Sequence, residues 1–317
     1  MNQTTKKQHY IWRKYLAPWT SNHSVTGRII CLRANKIFST SLMNIAHENY
    51  FYETKKLSEL EKEIIYEMII KRVKGVQKTI NQNWLSLYCV PFDLADNYFM
   101  NDKINQSSIK ETQDFKDWII EYIEKFHGLV ETMGIPYISS LRENDLSFWK
   151  NEKDRDAFSY FLANQYFRTK NMRDKMIRVF ESLKTQMGDA SDIHPGNMWI
   201  PLSLIFATNL GVYISHDLSA VLLQTKDGYF MVGDQPILNT YATFDLEIAP
   251  QDLELYYPIT PSSALLLTKN PKYKNESIVL IESEEVEAYN RLEQEAASEI
   301  IFAKERTQLE LLIENAI

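Results

Sequence analysis

SAVLLQTKDGYFMV, residues 219–232, is where the chain stops reading as helix and begins to read as sheet. Ser219–Gln224 is an apolar, strand-like run, and Asp227-Gly228 suits a two-residue type I′ turn. Tyr229–Val232 can then pair back, which predicts a hairpin. Val212–Ser215 just before it reads as another strand. Leu255–Thr260, Ala264–Thr268 and Ile278–Ile281 read as three more. From Glu284 to the C-terminus the pattern is one amphipathic acidic helix.

Upstream of this stretch the helical period dominates. Leu60, Ile64, Met68, Val73, Val76 and Ile80 form a helical stripe, and Ser58 with Glu61 makes a capping-box signal at its start. A second stripe, Phe115 to Val130, is expected to stop near Gly134-Ile135-Pro136. A third helix is predicted over Asp154–Leu183. The cluster Asn101–Ser108 reads as a loop. Nearer the N-terminus, two strand-like runs flank Ala34-Asn35-Lys36 and predict a hairpin. The fold class is therefore α+β and helix-rich, with long amphipathic helices and a small antiparallel sheet. One domain over 1–317 is expected: a helical part, 1–205, carrying the N-terminal hairpin, and a β-rich part with the C-terminal helix, 206–317.

The 317 residues can bury a core without staples. A net charge of −7 argues against wholesale attachment to nucleic acid or anionic membrane and leaves room for a local basic patch. Cys31 and Cys89 match neither a metal-ligand spacing nor a disulfide framework, which suits a reducing compartment and no disulfide-linked partner. Met1–His9 lacks the apolar core of a signal peptide, and no run reaches the roughly 18 uninterrupted apolar residues of a membrane span. A cytoplasmic protein without a membrane partner is expected.

No P-loop, GxGxxG, GxSxG or HExxH occurs, and the six His do not cluster at ligand spacings. Asp217 with Gln224-Thr225-Lys226 has the shape of a nuclease metal site, a shape that such common residue types also make by chance. Lys71, Arg72, Lys74 and Lys78 read as a solvated basic face.

Several segments together resemble the bacterial "domain of unknown function 4238" family, in the family's order. They are HYIWRKYLAPWT (from His9), NIAHENYFYE (from Asn44), LSELEKEIIYEM (from Leu57) and QYFRTKNMRDKM (from Gln165). YFMVGDQPILN (from Tyr229), YYPITPSSALLL (from Tyr256) and VEAYNRLEQEAASEIIFA (from Val286) complete the set. Trp12 and Lys170 stand where the family usually has Pro, and Gln235 where it has Asn.

The resemblance implies a candidate site of His9, Arg168 and Asp234, supported by Glu61 and Asn290. Each has a second reading. His9 is a general base or metal ligand, or a half-buried ring bonding a backbone carbonyl. Arg168, inside an apolar stripe, clamps an anionic ligand or pairs with Asp234 or Glu61. Asp234 is an acid in a cleft or closes an Asx turn. Glu61 belongs to its capping box, and Asn290 reads as a hydrogen-bonding core residue. Some family members lie beside bacterial defence loci. The expected function is an antiviral effector: a nuclease-like hydrolase of nucleic acid or nucleotide phosphodiesters, with room for a divalent metal. The alternative is a non-catalytic module binding nucleic acid or a partner protein.

Overall fold

A computed structural model of the chain describes residues 7–100, 109–188, 192–243, 248–273 and 277–314; the loop expected at Asn101–Ser108 lies outside them. The chain begins with β1 (Lys7–His9) and a single helical turn, α1 (Arg13–Leu16). The hairpin β2 (Arg28–Arg33) and β3 (Lys36–Ser41) follows. Ala34 and Asn35 both take positive φ, 48° and 60°, as a two-residue type I′ turn requires. β4 (His47–Asn49) then pairs with β1 and sets His47 opposite His9.

The helices come next. α2 (Glu59–Met68) opens on a complete capping box from Ser58 and Glu61. Its stripe does not run on to Ile80 as one helix: the chain turns at residues 70–75 before α3 (Gly75–Met100). α4 (Ile109–Arg142) passes through Gly134 and Pro136 without ending. The expected stop is a packing device, because a Cβ on Gly134 would lie 2.2 Å from the Phe161 ring. The helix expected over 154–183 is two, α5 (Glu152–Phe167) and α6 (Lys170–Gln186), broken at Arg168-Thr169. The Thr169 hydroxyl caps α6 by accepting from the Met172 N–H, so the break is encoded locally.

α7 (Pro195–Asp217) is apolar on every side, the signature of a helix inside a core. Among the described residues it alone is long and apolar enough to cross a bilayer, and 67% of that apolar window is buried in the protein. It absorbs Val212–Ser215, which are helical and not a strand, and the expected division at 205/206 falls inside it.

β5 (Ser219–Thr225) follows at once, but the hairpin at Asp227-Gly228 does not form. Gly228 has positive φ and Asp227 does not, so the type I′ turn is absent. β6 (Val232–Gly233) instead joins the sheet of the N-terminal hairpin. β7 (Leu238–Asn239), β8 (Leu255–Thr260), β9 (Ser263–Thr268) and β10 (Ile278–Ile281) complete the second sheet with β5, in the order β10-β5-β9-β8-β7. All its pairs are antiparallel except β10–β5.

The expected C-terminal helix is interrupted. α8 (Ser283–Ala296) gives way to β11 (Ile301–Ala303), and α9 (Arg306–Glu314) follows. β11 lies between β2 and β6 in a four-stranded sheet, so strands from both ends of the chain share one sheet. The fold is α+β and helix-rich, with mostly antiparallel sheets.

Candidate functional site

The break between α5 and α6 leaves Arg168 at a corner, buried, with each guanidinium nitrogen committed. Nε donates to the Tyr52 hydroxyl at 2.8 Å, Nη1 to Glu131 at 2.6 Å and Nη2 to the His9 carbonyl at 2.8 Å. The Tyr52 hydroxyl in turn donates to the Arg168 carbonyl, 3.2 Å away. Burial opposes the charge, but Tyr52 and Glu131 outweigh it and hold the guanidinium's pKa above its ordinary value. The Arg168–Asp234 and Arg168–Glu61 pairs suggested by the sequence do not form; the carboxylate partner is Glu131.

Arg168 and His9 border one cleft of ≈ 270 Å³, shared with Arg13, Glu124, Glu131 and Thr132. The His9 Nε2 lies 3.2 Å from the Leu42 carbonyl, and a carbonyl only accepts, so Nε2 carries the proton and Nδ1 keeps its lone pair. Burial, then the charges of Arg13 and the neighbouring His47, lower the His9 pKa to about 4, so the ring is neutral at pH 7. Glu124 moves the other way. Burial raises its carboxyl to about 7, partly opposed by Arg168, and its buried Oε2 has no internal partner. Below it, His127 packs against the Tyr52 ring at 4.6 Å, and burial drives its pKa well below the ordinary value.

The remaining expected site residues lie elsewhere in hydrogen-bonding terms. Asp234 accepts the backbone N–H groups of Ser298 at 2.6 Å and Glu299 at 2.9 Å, and burial raises its carboxyl to about 6. Glu61 uses one oxygen in the capping box and the other to accept from the His194 N–H at 2.7 Å. Asn290 accepts from the Met231 N–H and donates to the Tyr229 carbonyl. All three join distant backbone segments. Asp217 and the Gln224–Lys226 triplet sit at opposite ends of the seven-residue β5, roughly 20 Å apart, too far to share one metal. Among the described residues, no group of three or more His, Cys, Asp or Glu could hold a metal ion.

Sequence reasoning missed Glu124, Glu131 and Arg13. A signal existed: Glu124, Gly128, Glu131 and Ile135 recur at helical spacing along α4, which puts two carboxylates on one face beside the apolar stripe.

The model of the family described as "Protein of unknown function (DUF4238)" matches residues 7–307, nearly the whole chain. The chain belongs to the DUF4238 family. No curated protein and no solved structure matches it. The departures from the DUF4238 pattern have local explanations. Lys170 is the first residue of α6, a position that favours Pro, and here it bridges Glu48 and Glu299 instead. Trp12 packs edge-on against Phe161 and lines the cleft. Gln235 receives the Thr169 hydroxyl and donates to the Ile237 carbonyl, so its amide ties the corner to the strand end.

Proposed function

We propose that this DUF4238 protein is a hydrolase of nucleotide or nucleic-acid phosphodiesters, working by acid–base chemistry in the His9–Glu124 cleft. A cytoplasmic effector of bacterial antiviral defence is the setting it would serve. One observation carries the reading: a neutral imidazole with a free Nδ1 and a carboxyl raised to about 7 line the same small cleft. Groups whose environments push their pKa values toward opposite roles mark a base and an acid.

The charges suit an anionic substrate. Glu131 is neutralised by Arg168, and Glu124 is largely protonated below pH 7, which leaves Arg13 and Lys14 as net charge at the cleft. His9 Nδ1 takes a proton from the attacking water as the water oxygen bonds phosphorus. Glu124 gives its proton to the departing oxygen as the other P–O bond breaks. Arg13 balances charge on the phosphoryl oxygens.

The test is turnover of bis(p-nitrophenyl) phosphate, linear and cyclic dinucleotides, and single-stranded oligonucleotides. His9→Asn and Glu124→Gln should each lower the rate about 100-fold or more, with melting temperatures within a few degrees of wild type. Absence of turnover on every substrate contradicts the proposal. The non-catalytic alternative has its own supporting observation. The Arg168 nitrogens are all engaged internally, as in a structural clasp, and binding without turnover would favour that reading.

A further inference from the structure

The His9–Glu124 cleft does not end at its own wall. It shares Trp12, Lys14, Val25 and Ile135 with a smaller cleft of ≈ 230 Å³. That cleft shares Ala17, His23 and Arg142 with a third, of ≈ 720 Å³. The three clefts adjoin through these shared residues and together make a groove. In a protein of net charge −7, the second and third clefts contain no Asp or Glu in their lining. They contain Lys14, Arg142, His23, Lys226 and Lys304, and Thr260 and Ser262 also line them.

Arg142 is the second, independent sign. Its Nη2 donates to the carbonyls of Lys14 at 2.7 Å and Tyr15 at 3.3 Å, and its buried Nε has no internal partner. Among the described residues no carboxylate pairs with it. A half-buried guanidinium without a counter-ion is costly, and burial does lower its pKa from the ordinary value. An anion bound in the groove would supply that counter-charge and accept from the free Nε. Arg presents its donors in a plane that matches a phosphate. Lys304 is held over the groove by the Thr20 carbonyl at 3.2 Å, and Tyr229 offers an exposed ring in the widest part. Repeating cations with an open aromatic face are how single strands are held: charges track the backbone and rings stack on bases. A duplex keeps its bases stacked inside and cannot lay them on the exposed Tyr229 ring.

We propose that this groove is a track for a single-stranded nucleic acid, whose phosphates pass Lys226, Lys304 and Arg142 and deliver one linkage to the His9–Glu124 cleft. The track names the substrate class of the activity proposed above and rests on that reading for its catalytic end. Its binding is measurable without turnover.

The experiment is fluorescence anisotropy of the full chain with a labelled octathymidylate and octauridylate, titrated with NaCl. The affinity should fall as salt rises. Arg142→Gln and Lys226→Glu should each weaken it, by roughly 5-fold or more, and flatten the salt slope. Lys226 is exposed at a strand end, so its variant keeps the test valid if Arg142→Gln fails to fold. A 16-base-pair duplex should bind at least about 10-fold more weakly than either octamer. Salt-independent binding, or affinity unchanged by Lys226→Glu, overturns the track. So does inorganic phosphate competing as well as the octamer, because the site would then hold one anion and not a chain. Octamer binding that follows the predicted pattern without cleavage sustains the track and defeats the catalytic reading. Cleavage of bis(p-nitrophenyl) phosphate without octamer binding does the reverse.

Discussion

Arg168 sits at the C-terminal end of α5, one residue before the threonine that starts α6, and its three bonds hold the floor of the cleft. It was legible as a costly buried cation in an apolar stripe. Its partner was not, because pairing depends on which face of α4 turns inward, and spacing alone leaves that open. Asp234 shows the converse. A carboxylate at a strand end can face a cleft, but this one receives two N–H groups from the chain after α8. That contact, 64 residues away in sequence, leaves no local trace. Glu124 carries the clearest residue-scale consequence. Its folded pKa is raised from 4.5 to about 7, so the folded state holds its proton more tightly than the unfolded state. The contribution is present below pH 4.5 and is lost as pH rises through 7, on the order of 3 kcal/mol. His9 acts with the opposite sign: its pKa is depressed to about 4, so its contribution is present above pH 6.5 and lost as pH falls. Comparison of wild type with Glu124→Gln isolates the first effect. In urea titrations the variant should gain stability over wild type between pH 5 and pH 8. A constant difference across that range would remove the raised pKa from the account.

At the scale of elements, periodicity identified most helices and local chemistry decided where they break. The capping box at Ser58 and the hairpin at Ala34-Asn35 were readable because both are short-range. The stop expected near Gly134 fails for a physical reason: Gly and Pro end helices in isolation, but here Gly134 has a tertiary role and the exposed Pro136 is accommodated inside α4. Pro136 cannot supply the N–H that the Thr132 carbonyl would otherwise accept, and Thr132 borders the cleft. Gly134 lets α4 approach α5 at the Phe161 ring, which Trp12 and Phe158 prevent from swinging aside. Gly134→Ala would gain up to about 1 kcal/mol of helix propensity and lose about 1–3 kcal/mol to overpacking. Overpacking wins because Phe161 is fully buried. A net loss of about 1–2 kcal/mol in chemical denaturation is expected, and a stabilised variant would show that the two helices are not in this contact. The failed hairpin after β5 has the same origin: Asp-Gly favours a turn, but the run beyond it pairs with β11 and β2's sheet instead.

Over the whole molecule, the two ends of the chain meet in one sheet, with β11 inserted between β2 and β6. That arrangement could not be read from alternation, since β6 and β11 have two and three residues. The α+β class and the ordered family segments could. The two cysteines are free, Cys31 buried in the core and Cys89 half-buried. The same global packing sets β1 against α4 and the α5–α6 corner, and so brings His9 and Glu124 to a single cleft from positions 115 residues apart. The proposed hydrolysis requires those two groups to act together. Its most direct measurement is the pH dependence of kcat/KM for bis(p-nitrophenyl) phosphate, in wild type and Glu124→Gln. A base that must be deprotonated and an acid that must be protonated give a bell. Its acid limb should rise through about pH 4 and its alkaline limb fall through about pH 7, and Glu124→Gln should abolish the alkaline limb along with most of the rate. A wild-type profile flat from pH 4 to 8, or an alkaline limb that survives in Glu124→Gln, would contradict it.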